Sequence, residues 1–474
     1  MSQLSTAKIF RYGGVAFLVG SGGAYWISSF FCFSSLYLYI LLVVLLFLFK
    51  WKKKRIAFII LITFCFFLGI YRFQNVLFQL NQTSFFKKDN VTLQITLPKE
   101  PFHRENYQKV VASPLVIYLG SYPIYHYGDS IQVNGTVEPV DWYLDGSSFV
   151  SGKMSYPKAK LLQSASFSWP QLIFNIRKRI TLVLGRVMPE PENSLLIGLL
   201  LGKKDSISSN LQDQIRKAGL AHIIVVSGLH LSIIIRILIS VLISLGLRKR
   251  ATFIFLICFL LFFSGLVGFT ASIIRASIMA FLLLLSSLYS RLYKPGNSLL
   301  LAAILMVWFN PLIMKGSLGF QLSFLATAGI IFLYPIWARK SFWQKKFFQG
   351  SGSWLMMTVL PSLSALTMVL PWIAYKMQYV SLVTPFTNLM VLPFLPLVIV
   401  LGVITIIGAM ICYPLGLFFS FFLSKILAFI LLIIRITSSL SISQVYIPTF
   451  LLWGLIPYYL FISLYIYRQQ KQVT

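Results

Sequence analysis

Acidic residues are scarce in this chain. Eleven Asp and Glu stand against 41 Lys and Arg, and 7 of those acids fall between residues 85 and 165 together with 8 of the bases. The rest of the chain therefore holds 33 basic and 4 acidic residues and carries the positive surplus. Cysteine is equally thin: Cys32, Cys65, Cys258 and Cys412 all sit in apolar runs with no C-x-x-C pair, so neither a disulfide framework nor a thiolate metal site is suggested. The 4 histidines, 2 of them between residues 85 and 165, leave no His-rich cluster for a di-metal nuclease. "GLLLGKKD", residues 198–205, fails as a phosphate loop: 3 residues separate Gly198 and Gly202, no strand precedes it, and Lys204 takes the Ser/Thr position. No ATP site, metal or cofactor is expected, and no enzymatic activity.

Apolar runs are what the chain has in excess. It is 58% hydrophobic and 11% charged, with a mean hydropathy of +0.82, and runs such as "YLYILLVVLLFLF" are too long for ordinary core helices. This composition predicts a polytopic α-helical membrane protein. Apolar spans are predicted near 13–31, 33–49 and 56–71, then at 222–246, 252–269, 272–289, 298–314, 318–337, 354–375, 386–411, 415–438 and 449–467, about 12 in all. Lys8 and Arg11 precede the first span as in a signal peptide, but no small-residue cleavage site follows and a second span comes at once, so an anchor is expected. With Lys8 and Arg11 inside, the clusters Lys50–Arg55, Arg248–Arg250, Arg291 with Lys294, Arg339–Lys346 and Arg468 with Lys471 all fall inside too. The positive-inside rule then predicts cytoplasmic N- and C-termini and an outer polar insert, in the cytoplasmic (inner) membrane.

The chain divides into N-terminal transmembrane helices at 1–72, the insert at 85–165, interfacial helices at 166–220 and a transmembrane channel domain at 221–468. "VTLQITL", "KVVASPLVIYLG" and "GDSIQVNGTVEPV" are rich in β-branched residues with Gly, Pro and Asn-Gly punctuation, so the insert reads as a small β domain. A five-stranded barrel of the OB type fits its length, and a small sandwich fits the pattern nearly as well. Tyr107, Tyr118, Tyr122, Tyr125, Tyr127, Trp142 and Tyr143 are either stacking platforms for bases or strand core and rim. Past the insert, Ile173, Ile176, Ile180, Leu184 and Val187 recur at helical spacing beside Arg177, Lys178, Arg179 and Arg186, which predicts an amphipathic basic helix on a membrane surface. These bases, with Lys203, Lys204, Arg216 and Lys217, lie outside and break the inside bias. Either an arriving polyanion or anionic lipid head groups would account for them.

"AHIIVVSGLH", residues 221–230, sets His222, Ser227, Gly228 and His230 at the head of the fourth span. "LLIGLLLGKKDSISSNLQDQIRKAGLAHIIVVSGLHLSIII", which contains this H-x-x-x-x-S-G-x-H element, resembles the signature of the ComEC family of competence membrane proteins. "FSGLVGFTASIIRASIM" and "NPLIMKGSLGFQLSFLATAGI" are similar to two further family blocks in the same order, and "GDSIQVNGTVEPV" to a closing strand of the family's outer OB domain. The resemblance covers about residues 56 to 465. It implies passage of one DNA strand across the cytoplasmic membrane during natural transformation, with His222, Ser227, Gly228, His230, Arg275, Gly319, Gln321 and Ser323 at the site. It also implies a cytoplasmic ATPase or DNA-binding partner and an outer DNA receptor. Longer relatives carry a C-terminal metallo-β-lactamase-like domain; this sequence stops soon after its last predicted span, so the short form is expected, with any nuclease encoded separately.

The residues themselves admit alternatives. On one continuous ideal helix His222 and His230 lie about 80° apart with Arg236 about 40° to the other side of His222, so all three would share a broad face. Arg275 falls within a span, where a guanidinium is costly unless it meets protein, water or an anion. Gln321 and Ser323 are pore lining or helix-to-helix glue. Pro385, Pro393 and Pro396 around Asn388 suggest a broken helix that either lines a cavity or kinks for packing. The reading is a channel for single-stranded DNA in the lipid membrane. The alternatives are a transporter of another anionic polymer or lipid-linked sugar, and a degenerate non-conducting homologue.

Overall fold

Two glycines decide how the first described helices meet. α1 (Thr6–Ile27) crosses α2 (Lys54–Gln82) so closely that a Cβ on Gly20 would lie 2.0 Å from the Phe66 carbonyl oxygen, and one on Gly69 2.2 Å from that of Phe17. Small residues allow such close backbone approach, and interhelical hydrogen bonds add to the packing. Ser21 provides one such bond, its hydroxyl donating to the Gly69 carbonyl at 3.1 Å.

The computed structural model describes residues 6–27, 54–82, 88–97, 101–103, 107–145, 148–163, 169–224, 227–339, 353–447 and 454–471. The predicted span at 33–49 lies outside them. The chain forms two compact units, one of residues 1–172 with 297–320, the other of 173–296 with 321–474.

In the first unit the polar insert is one seven-stranded sheet. Its strands are β1 (Lys88–Thr96), β2 (Phe102–His103), β3 (Gln108–Ala112), β4 (Leu115–Leu119), β5 (Ser130–Asp145), β6 (Ser148–Ser155) and β7 (Lys158–Gln163). The order is β1-β5-β6-β4-β3-β2, with β7 also on β5; β4 and β6 run parallel and the other pairs antiparallel. Ile131, Val133 and Val137 of β5 pack with Val110, Ile117 and Met154 in one apolar core. Asn134-Gly135, the strongest turn signal in the insert, sits inside β5 instead of closing a hairpin. Glycine is needed there because Pro157 fills the space, 2.9 Å from where a Cβ would stand. Of the aromatics weighed for base stacking, Tyr125 is core, and burial pushes its phenol above the ordinary value. Tyr107 and Tyr118 meet edge to face with ring centroids 5.4 Å apart, and Tyr122 is exposed. The side chains of Trp142 and Tyr143 lie outside the described residues.

The second unit begins with α3 (Trp169–Val187), the basic amphipathic helix, which buries Ile180, Leu184 and Val187 and exposes Lys178, Arg179 and Arg186. α4 (Glu192–Leu201) is buried on every side against apolar residues from 391–399 and 423–434. The sequence had grouped α4 with interfacial helices. Ten residues without a polar face have nothing to offer an interface, and they become core. Gly202 ends α4 with φ 67°, its N–H bonding the Gly198 carbonyl at 3.0 Å, so the two glycines of "GLLLG" serve a helix cap.

There follow α5 (Ser209–Lys217), α6 (Ala221–Ile224), α7 (Gly228–Ser244), α8 (Lys249–Val267), α9 (Ala271–Leu288), α10 (Pro295–Phe309), α11 (Ile313–Gly316), α12 (Leu318–Ala338), α13 (Ser353–Met377), α14 (Thr384–Ile411), α15 (Tyr413–Ser438) and α16 (Leu455–Lys471). β8 (Tyr379–Val380) pairs with β9 (Val445–Tyr446). α8, α9, α12, α14, α15 and the Val359–Met377 part of α13 are long and apolar enough to cross a membrane, 6 helices among the described residues, and the protein is a polytopic membrane protein. Leu61–Val76, Gly228–Ser244 and Pro295–Phe309 are apolar but shorter.

The α1–α2 crossing yields a contrast within one helix. Gly20→Ala should cost about 1–3 kcal/mol by forcing the backbones apart, whereas Gly23→Ala, with nothing within 4 Å of its added methyl, should leave stability unchanged. Thermal unfolding of the two proteins in detergent checks this, and equal midpoints would refute the close crossing.

Candidate functional site

The helix expected across 222–246 is interrupted. α6 stops at Ile224, Ser227 is extended with φ −104° and ψ 170°, and α7 starts at Gly228. Ser227 and His230 close the break as a capping box in which histidine takes the usual Glu/Gln position. The Ser227 N–H donates to His230 Nδ1 at 3.1 Å, and the Ser227 hydroxyl lies 3.0 Å from the same nitrogen. Because Nδ1 accepts, the imidazole is neutral with its proton on Nε2, a buried nitrogen with no partner among the described residues. The shared face inferred for one continuous helix therefore does not exist. His222 sits on α6 with an exposed side chain, Nδ1 3.1 Å from the Gly219 carbonyl oxygen, and Arg236 is exposed on α7.

Gly228 opens α7 against α9. A Cβ there would lie 3.0 Å from Arg275 Nη2 and 3.3 Å from the Ala276 methyl. Arg275 is only 8% exposed. Its Nε donates to the Ser323 hydroxyl at 2.7 Å, Nη1 donates to the Thr327 hydroxyl and lies 3.8 Å from Met279 Sδ, and the guanidinium stands 5.9 Å over the Phe324 ring. Thr327 directs its own proton to the Ser323 carbonyl at 2.8 Å, so its lone pairs face the arginine. All these partners are neutral. No carboxylate pairs with Arg275 among the described residues, and the sequence contains no Asp or Glu after Asp213. Directly after Thr327, α12 widens into a π-helical turn at Gly329–Leu333, where a Cβ on Gly329 would sit 2.3 Å from the Ser364 carbonyl oxygen.

Against this geometry, the family model described as Competence protein matches residues 199–472, more than half of the chain. The chain belongs to the ComEC family of competence proteins. ComE operon protein 3 of Bacillus subtilis (strain 168) is 25% identical over 232 residues, 49% of this chain and 28% of that relative. The match thus spans little more than a quarter of the relative's length. No solved structure matches the chain.

The remaining candidate residues of this ComEC-family protein fall into separate places. Gln321 accepts from Trp372 Nε1 at 2.9 Å, tying α12 to α13. Asn388 is buried with Nδ2 donating to the Ser362 hydroxyl at 3.0 Å, and its helix passes through a 3-10 turn at Leu392–Phe394 that carries Pro393. Gly319 has no steric need to be glycine, since a Cβ would meet only Ser317 Oγ at 3.9 Å. Among the basic residues, Arg177 turns inward and donates to the Leu201 carbonyl at 3.1 Å, while Arg216 pairs with Asp213 at 2.7 Å on the surface. Lys217 is exposed and Lys203 half-buried; the side chain of Lys204 lies outside the described residues. Thr327 and Phe324 escaped the sequence reading, although Thr327 stands four residues beyond Ser323 and so on the same helix face.

The capping box separates histidine chemistry from helix architecture. His230→Gln keeps an acceptor for the Ser227 N–H and should preserve stability, whereas His230→Ala should lose about 1 kcal/mol. Denaturation of both variants in the same detergent tests this; equal losses would show that the box does not hold the break.

Proposed function

We propose that this protein conducts single-stranded DNA inward across the cytoplasmic membrane and that Arg275 meets the passing phosphates at the Ser227–His230 break. The observation that carries the reading is the buried guanidinium with only neutral partners, in a chain with no acid beyond Asp213. Such a charge inside a membrane protein is costly unless an anion or water reaches it, and buried ionisable residues there commonly mark a transport path. A polyanion supplies successive phosphates, while the hydroxyls and imidazole around the arginine hydrogen-bond without adding charge that would trap it. Membership of the competence family supports DNA as that polyanion.

The finer features follow from the same reading. About 12 spans place both termini in the cytoplasm and the β domain outside, as the basic clusters require. The 16 residues of β5 pair with β1 on one edge and with β6 and β7 on the other, which supports an OB-like coiled sheet. The protein performs no chemical step. Drive comes from a cytoplasmic ATPase or DNA-binding partner, delivery from an outer receptor, and the single strand from a separate nuclease.

Two measurements test the proposal. Arg275→Ala should lower the appearance of labelled DNA in the cytoplasm at least about tenfold, the scale of a lost charged contact of roughly 1.5–3 kcal/mol, with abundance and surface-bound DNA unchanged; Arg275→Lys should retain part of the transport. Normal uptake by the alanine variant, or loss of the protein itself, rejects Arg275 as path lining. In a cysteine-free background, Tyr122→Cys should label from outside and Leu292→Cys from inside, both positions being strongly exposed. Labelling from one side would overturn the topology.

A further inference from the structure

α13 ends in a cluster that the reading so far does not use. Lys376 Nζ lies 4.9 Å over the Tyr375 ring and 5.8 Å from the Trp372 ring, whose centroids are 5.4 Å apart. Gln378 takes a left-handed φ of 59° and turns the chain out of the helix into β8. There Tyr379 stands directly opposite Tyr446 of β9, ring centroids 5.5 Å apart and edge to face. These two rings remain 47% and 56% exposed, and Tyr375 and Lys376 are exposed as well. The segment after β8 is pinned to the end of α5: the Ser381 hydroxyl donates to the Lys217 carbonyl and the Thr387 hydroxyl to the Ala218 carbonyl, each at 2.7 Å. The backbone of the exposed Lys217 is thereby joined to the residue two positions after Tyr379. On the proposed topology these segments all lie on the outer side.

We propose that Tyr375, Lys376, Tyr379 and Tyr446 form a binding site for unpaired nucleobases, which receives a single strand before it reaches Arg275. Exposed rings among cations are the combination that binds single strands without sequence preference, bases stacking on the rings while the cations hold the phosphates. Charge complementarity favours this occupant, because Asp213 is the last acid in the chain and is already paired with Arg216. The position favours it too. Trp372, one turn before Lys376, donates to Gln321, and Gln321 lies two residues before Ser323, which holds Arg275. A lipid head-group anchor needs rings at helix ends but not a ladder and two hydroxyl bonds converging three segments on one spot.

The inference rests on DNA being the substrate, and its test separates the two. The full chain in nanodiscs is titrated with fluorescent oligothymidine and with an abasic oligomer of equal length and charge. The wild type should bind oligothymidine about tenfold more tightly, the scale of one stacked base. Tyr379→Ala with Tyr446→Ala should remove that preference, Tyr379→Phe with Tyr446→Phe should keep it, and Arg275→Ala should keep it. Equal wild-type binding of both oligomers overturns the base site while leaving DNA as substrate; binding of neither overturns both. A preference that survives the double alanine variant, with only membrane insertion impaired, assigns the rings to lipid and overturns the base site.

Discussion

A guanidinium enclosed by neutral groups sets the terms for the rest of the site. Had α12 offered a carboxylate, Arg275 would form an internal ion pair, and a phosphate would have to displace it. The neighbours are instead two hydroxyls, a thioether and an aromatic face. These orient the side chain and reduce its desolvation cost without cancelling its charge. The missing acids are therefore as much a part of the site as the residues present. The whole stretch from α6 onward has no Asp or Glu to pair with Arg275.

The helix break at Ser227 lies beside that arginine. An interrupted helix exposes backbone donors and acceptors that lipid cannot satisfy, and such breaks persist only where protein or water covers them. The capping box supplies part of the cover from within the motif. Gly228 brings the start of α7 so close to α9 that a Cβ there would lie 3.0 Å from Arg275 Nη2. A side chain at 228 would press on the guanidinium and on Ala276 by a few tenths of an ångström, so cap and charge are packed against each other. Ser227, Gly228 and His230 each have a structural reason for their identity that is independent of any contact with DNA.

Much of this was legible from residue order. Apolar runs marked the long helices, the Ile and Leu spacing of 173–187 marked a basic amphipathic helix, and the family blocks brought Gly228, Arg275 and Ser323 into one set before their contacts were visible. What escaped did so for physical reasons. The capping box was unreadable because histidine seldom fills the Glu/Gln role, so the wheel angles from His222 to Arg236 assumed continuity. α4 read as interfacial because it lies between basic segments, although every residue from Leu195 to Leu201 is apolar. Asn134-Gly135 had the chemistry of a turn, but Pro157 packing on the glycine made it part of a strand.

The surplus of positive charge also divides once side chains are placed. Arg177, one of the four bases on α3, is spent on the carbonyl of Leu201 at the end of buried α4, where a cation also meets the favourable end of the helix dipole. Arg216 is held by Asp213 on the surface, a pairing worth little in water. Lys178, Arg179, Arg186 and Lys217 are exposed and form no ion pair among the described residues. Such charges act through a salt-screened field reaching about 8–10 Å, so on the proposed reading they would gather a polyanion at the membrane without fixing it. On the proposed reading, diffuse attraction at the surface and a single buried arginine on the path would let a strand enter and still move on. A row of desolvated cations along the whole path would hold it in place.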